Sequence, residues 1–335
     1  MSKVKAAFLG CGGFMGAHAQ RMKQIGDAEL VALCDVTEAQ VQAFIERNLK
    51  DYPVKPSVFT DPAAMYRQAK PDAVFIATPH TLHFQHGMQA LDAGCHVYME
   101  KPMVTDLGDA YKLADKAKAT GKILVVGYNS PCSPEFTYLR KLIRDKELGQ
   151  LEMVTGYLTQ GWMKGTVGKW RQDPKLSGGG QAYDSGAHLL NSLCWSVESD
   201  VDTVFAFVDN HGTAVDINSA FVIKFANGVM ANITISGNCP SDSGPLCYIF
   251  DGGRVEIDGW SGSYIRVWKG REQVKYPPVD MAAGFPTPTH NFIAAVQGKA
   301  EPRTSPRNGI IQSQLMDAIY ESARTGQPAR PKKPA

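Results

Sequence analysis

The chain begins with "KVKAAFLGCGGFMGAHAQRMKQI" (residues 3–25), a short apolar run that stops at glycine and resumes with helical spacing. A chain that turns from a strand straight into a helix needs positions without a Cβ, where the backbone can bend tightly. Gly10, Gly12, Gly13 and Gly16 supply them. The first N–H groups of the next helix have no intrahelical acceptor, so the turn is built to receive an anion such as a pyrophosphate. The spacing is G-x-G-x-x-x-G. Met15 stands at the usual third glycine, and Gly16 takes the close-packing role one residue later.

The strand–helix rhythm then repeats. Strand-like runs cover 28–35, 72–78, 95–100 and 122–128, and helical patterns cover 38–49, 83–94 and 107–121. Such alternation predicts βαβ units and a parallel sheet. Asp35 ends the second strand 19 residues after Gly16. An acid there accepts hydrogen bonds from ribose hydroxyls and repels a 2′-phosphate, and "DVTE" (35–38) offers no Arg or Lys to compensate. The dinucleotide expected is therefore NAD rather than NADP.

After residue 128 the pattern changes. A helix over 133–149 leads into a series of strands, several turning on Asn227-Gly228, Asp251-Gly252 and Asp258-Gly259, which are hairpin signals. A helix starts near Asp184, and a last one spans 309–326. The fold class is α/β: an N-terminal Rossmann domain with a doubly wound parallel sheet over 1–128, then a C-terminal α/β domain over 129–335 on an open, mostly antiparallel sheet. At about 150 residues per domain, 335 residues suit two. No helix is evident to cover one face of the second sheet, whose strands alternate Val, Ile and Phe. That face predicts a homo-oligomer, a dimer or tetramer.

Hydrophobic residues at 44% and charged residues at 20% describe a globular chain with a sizeable core. A net charge of +2 provides no field to recruit nucleic acid or a membrane, and "ARPKKPA" at the end reads as a solvated tail. The opening residues do not read as a signal peptide, and no apolar run reaches the ~18 residues of a membrane span. Seven scattered cysteines with no C-x-x-C pair predict reduced thiols, a cytoplasmic location and no metal site.

Two further stretches carry chemistry. "GGGQAYDSGAHLL" (178–190) places Asp184 and His188 four apart, on one face of a helix's first turn, after a glycine run that reads as a loose loop. "EKP" (100–102) closes a strand. With the glycine loop and its trailing His18, with "ATPHTLHFQHGMQALDAGCHVYMEKP" (77–102), "DSGAH" (184–188) and the "FANG" hairpin (225–228), the chain resembles the Gfo/Idh/MocA oxidoreductases over nearly its whole length.

The resemblance implies that Lys101 points at the reacting hydroxyl of the substrate, that Glu100 lies near the nicotinamide ribose, and that a cis peptide often precedes Pro102. It implies that Asp184 and His188 complete the catalytic set with Lys101. The cofactor-binding set is Gly10, Gly12, Gly13, Phe14, Met15, Asp35, Thr78, Pro79, His83, Glu100 and Lys101. A helix-start structural role is the equal alternative for His83. Lys101, Asp184 and His188 with Tyr128, Trp162, Trp170, Arg171 and Tyr183 form the substrate-binding set, the aromatics as a sugar-stacking wall or as simple packing. This chain departs from the family at Met15 and at Asn191, where many members carry an acid.

Oxidising a secondary alcohol requires its hydroxyl proton to leave with the hydride. A histidine base suits that step, and an ammonium beside the developing alkoxide stabilises it. The activity implied is NAD-dependent oxidation of a sugar, polyol or glycoside hydroxyl. A redox-neutral glycosidase working through a transient 3-keto sugar is the alternative, and a non-catalytic dinucleotide sensor is a third reading.

Overall fold

A computed structural model describes residues 2–275 and 285–332, as two compact units. The first unit comprises Met1–Gly127 and Thr287–Gly309. It contains β1 (Val4–Leu9), α1 (Met15–Gln24), β2 (Ala28–Cys34), α2 (Glu38–Asn48), β3 (Ser57–Phe59), α3 (Pro62–Ala69), β4 (Ala73–Ile76), α4 (His83–Asp92), β5 (His96–Met99), α5 (Leu107–Thr120) and β6 (Leu124–Val126). The strands form one parallel sheet in the order β3-β2-β1-β4-β5-β6, the doubly wound Rossmann order. β3 and α3 occupy a stretch in which no element is predicted from sequence. β4 is buried at every position, as a strand covered on both faces must be.

The expected boundary assigns everything after 128 to the second domain, yet Thr287–Gly309 belongs to the first unit. Phe292 and Ile293 lie in its core beside Phe75 and Tyr98, and Thr304 accepts from Val126 N at 3.2 Å and donates to Val126 O at 2.8 Å. These bonds satisfy the backbone of β6 at the sheet edge.

The second unit comprises Tyr128–Pro286 and Ile310–Ala335. It contributes α6 (Pro134–Arg144), β7 (Leu151–Thr159), α7 (Trp162–Thr166), α8 (Pro174–Ser177), α9 (Gly186–Val197) and then β8 (Val201–Asp209), β9 (Asn218–Phe225), β10 (Met230–Ser236), β11 (Pro245–Phe250), β12 (Gly253–Asp258), β13 (Ile265–Lys269) and β14 (Glu272–Val274). Two helices complete the chain, α10 (Pro288–Val296) in the first unit and α11 (Pro306–Thr325), which joins the second unit from Ile310 onward. The eight strands run in the order β14-β13-β12-β11-β7-β10-β9-β8, and every pair is antiparallel except β7 with β10.

One face of this sheet packs on Leu139 and Leu142 of α6, Leu189, Leu190 and Leu193 of α9, and Leu315 and Ile319 of α11. The strict alternation of burial along β9 shows the two-residue period at work. The opposite face exposes Met153, Tyr157, Phe207, Val222 and Met230. Asp251-Gly252 makes the two-residue hairpin its sequence predicts, between β11 and β12. Among the described residues no helix is long and apolar enough to cross a membrane.

Candidate functional site

The glycine turn sits at the carboxyl edge of the parallel sheet, where open α/β sheets bind ligands. Gly10 has φ +90°, and a Cβ on it would lie 2.7 Å from the Ala77 carbonyl oxygen, so only glycine fits there. Beyond Gly12 and Gly13 there is open space on the side a Cβ would take. Gly16 packs against α2, where a Cβ would meet Asn48 Oδ1 at 2.8 Å, and this is the close-packing role its position predicts. Met15, in place of the usual glycine, turns its side chain into the core, while Phe14 stays partly exposed with its ring edge on His18. The room above the two glycines and the leading amides of α1 fit a dinucleotide pyrophosphate.

Asp35 comes directly after β2 and braces this turn. Its Oδ2 accepts the Cys11 N–H at 2.6 Å and its Oδ1 the Val36 N–H at 2.6 Å. The adjacent Cys11 is no nucleophile: burial, then the Asp35 carboxylate, pushes its thiol up to about 12. Replacing Asp35 with Ser is expected to raise the NADP-to-NAD ratio of kcat/KM by about tenfold or more, because it removes the repulsion of a 2′-phosphate. NAD affinity itself should fall as the turn loses its brace. An unchanged ratio would contradict this assignment.

Leu9, Ile76, Met99 and Val126 stand in one registered row across β1, β4, β5 and β6. Gly10, Ala77, Glu100 and Gly127 therefore emerge side by side. Glu100 is buried. Its Oε1 lies 2.8 Å from His18 Nε2 on α1, and its Oε2 accepts the Lys101 N–H at 3.3 Å. A carboxylate only accepts, so Nε2 carries the proton, and in the neutral ring Nδ1 accepts from the Thr289 hydroxyl at 3.0 Å. Lys101 is partly buried, and the Lys101–Pro102 bond is cis.

His83 takes the structural alternative. It has no exposed surface, and its two ring nitrogens lie against backbone carbonyls, Nδ1 at 2.7 Å from Pro102 O and Nε2 at 2.9 Å from Thr78 O. Burial lowers its pKa. The neutral ring carries one N–H and donates to one of these carbonyls, and both nitrogens face backbone of the segment after β4 and of the Glu100-Lys101-Pro102 turn. The Thr78 hydroxyl pairs with His86 Nδ1 at 3.0 Å, and burial brings His86 down to about 4. Pro79 leads into the short turn ahead of α4.

In the second unit Asp184 lies ahead of the helix, not on it, since α9 starts at Gly186 with Ser185 as its cap. The shared first turn expected of the two residues is not seen: residues 181–185 form a turn ahead of α9, closed by Asp184 N donating to Gly180 O at 2.9 Å and Gly186 N to Gln181 O at 2.9 Å. Asp184 Oδ2 accepts from Trp162 Nε1 at 2.8 Å and from Arg171 Nε at 2.9 Å. The Arg171 guanidinium lies 4.5 Å from the Trp170 ring centre, a cation–π contact that flattens it in place. Trp162, almost buried, is thus an anchor for the carboxylate rather than a sugar-stacking face.

Tyr183 takes the packing alternative. Its ring is in the core, 6.4 Å from and parallel to Tyr320. Tyr128 is fully buried and presents a perpendicular ring to His188 at 6.2 Å. Asn191, one turn after His188, donates to Ser130 Oγ at 3.3 Å.

The glycine run is not loose. Gly180 N and Ala182 N donate to the Asp216 carboxylate at 2.6 and 2.8 Å, and Gln181 N donates to the Asp216 carbonyl at 2.9 Å. Tyr320 donates to the same carboxylate at 2.5 Å. A Cβ on Gly180 would fall inside the Asp216 carbonyl oxygen, so glycine is required here for close approach. Asp216 and Thr289 both escape a reading of the sequence, since each acts through a partner remote along the chain.

Residues 4–128 match the family model described as "Oxidoreductase family, NAD-binding Rossmann fold" (GFO_IDH_MocA), and residues 136–265 match the GFO/IDH/MocA C-terminal domain. The chain belongs to the GFO/IDH/MocA family. A D-glucoside 3-dehydrogenase of Escherichia coli K12 is 25% identical to this family member over 364 aligned positions, 97% of either chain. A glucose-6-phosphate 3-dehydrogenase of Bacillus subtilis 168 is 26% identical over 253 positions, 72% of this chain and 70% of the relative. The WlbA dehydrogenase from Bordetella pertussis, solved in complex with NADH and UDP-GlcNAcA, superposes with a TM-score of 0.87 at 26% identity, covering 100% of this chain and 99% of WlbA. This GFO/IDH/MocA chain is thus an NAD-binding member of an oxidoreductase family whose relatives include sugar dehydrogenases.

Proposed function

We propose that this protein oxidises a secondary hydroxyl of a sugar, polyol or glycoside with NAD. The observation that carries the reading is the Glu100-Lys101 pair on the carboxyl edge of the Rossmann sheet, aligned with Gly10 and bonded through His18 to the helix of the glycine turn. The sugar dehydrogenases among the relatives favour a carbohydrate hydroxyl. NAD, when bound, supplies the hydride acceptor.

The chain's own groups divide the remaining work. His188 takes the hydroxyl proton. The Lys101 ammonium stabilises the alkoxide as it forms. Asp184, held by Trp162 and Arg171, accepts from a neighbouring substrate hydroxyl. Arg171, with its guanidinium on the Trp170 ring, borders that buried carboxylate and offers its remaining N–H groups to a polar ring edge.

The test is a panel of free sugars, polyols, uronates and aryl glycosides with NAD and purified protein. The expected result is net NADH absorbance with at least one carbohydrate. Release of the aglycone without net NADH would replace this reading with the redox-neutral glycosidase. Binding of NAD with no turnover on any of them would replace it with the sensor.

A further inference from the structure

The Asp258-Gly259 pair signals a turn, and the loop it opens between β12 and β13 is longer than a tight hairpin. Asp258 organises that loop. Its Oδ1 accepts from Trp260 N at 3.1 Å, and its Oδ2 accepts from Ser261 N, Ser261 Oγ, Ser263 N and Ser263 Oγ at 2.8 to 3.2 Å. Burial alone would raise the Asp258 carboxyl, and these donors outweigh it, leaving the pKa below the ordinary value.

The loop is also docked onto α9. Gly259 N donates to Gly244 O at 2.7 Å, and the Ser192 hydroxyl, one turn beyond His188, donates to Gly259 O at 2.6 Å with His188 O also within reach at 2.9 Å. Gly259 and Gly262 both sit where a Cβ would collide, the first with Leu189 and Gly244 O, the second with Ser133 Oγ. The result is a rigid pedestal that presents Trp260. Its indole lies over the His188 imidazole with ring centres 4.2 Å apart and planes 34° from parallel. Tyr128 meets the same imidazole edge-on.

We propose that Trp260 is a positioning residue for His188: the indole face holds the imidazole plane and stabilises the ring while it carries the proton taken from the substrate. The physical reason is the negative face of an indole, which attracts a cation stacked on it and does so more strongly away from water. His188 is 4% exposed, so solvent screens little of this. The inference rests on His188 being the base, and the experiment separates the two claims.

Trp260→Leu is expected to lower kcat by about ten- to a hundredfold with NAD affinity unchanged within about twofold, while Trp260→Phe, which keeps a ring, restores most of the rate. Fluorescence reads the contact without turnover. A protonated imidazole quenches an indole stacked on it, so below the imidazole's titration range His188→Asn should brighten tryptophan emission. In a Trp260→Phe background the same change should not brighten it, since the remaining tryptophans cancel in the difference.

Brightening that persists without Trp260, or full kcat in Trp260→Leu, would overturn the proposal. If His188→Asn itself keeps full turnover, the base assignment falls, and with it this role for Trp260, whatever the fluorescence shows. Should Trp260→Leu fail to fold, the fluorescence difference still decides, because the Phe variant retains the core contact.

Discussion

Lys101→Ala and His188→Ala are each expected to cut kcat by roughly a hundredfold to ten-thousandfold while NAD binding stays nearly intact. The expectation rests on where the two side chains lie. Lys101 comes after β5 as a partly buried residue, and of the expected cofactor-binding set the glycine turn and its Asp35 brace stand apart from its side chain. His188 belongs to the first turn of α9 in the second unit, and the bonds that shape that turn come from its backbone. Removing either side chain therefore subtracts chemistry without collapsing a scaffold. Binding of NAD by calorimetry, measured beside steady-state rates, checks both halves. Full turnover in either variant would end the catalytic assignment; lost NAD affinity would make holding the cofactor the larger part of Lys101's role and would add His188 to the cofactor site.

Gly180→Ala is expected to be strongly damaging for one added methyl group. The added Cβ would occupy the Asp216 carbonyl oxygen, so the backbone must shift. That shift breaks up to three bonds from 180–182 to Asp216. The cost should be about 2 to 4 kcal/mol, from overpacking and a buried carboxylate left short of donors. On a unit of this size that lowers the Tm by roughly 5 to 15 °C in a thermal scan. Activity should fall further than stability at assay temperature, since Asp184 and His188 lie just beyond the displaced residues. A variant with parent-like Tm would show that the loop is as free as its composition suggests.

Much of the first unit was legible because its signals are local. A strand, a glycine turn, a helix and an acid at the next strand's end all lie within 35 residues, and Gly10 and Gly16 behave as their spacing implies. The antiparallel half was legible for the same reason, through two-residue alternation and Asp-Gly turns. β3 was not, being three residues at a sheet edge in a stretch holding Pro53, Pro56 and Pro62, too short to show a period. The site was legible in its residue types and less so in its mechanics. "GGG" reads as freedom when seen alone, and only Asp216, 36 residues from Gly180, reveals it as close packing. Trp162 and Tyr183 look alike as aromatics near a carboxylate, yet one donates to Asp184 and the other sits in the core. His18 shows the limit most plainly: its ring is oriented by Thr289, 271 residues away.

That last bond has a practical corollary for anyone wishing to dissect the molecule. A fragment stopped at residue 128 would part with Phe292, Ile293 and the hydroxyl that steadies His18, leaving Phe75 and Tyr98 with a bare flank. The nucleotide-binding half is a discontinuous piece of chain, to be obtained by splicing residues 287–309 back on rather than by cutting.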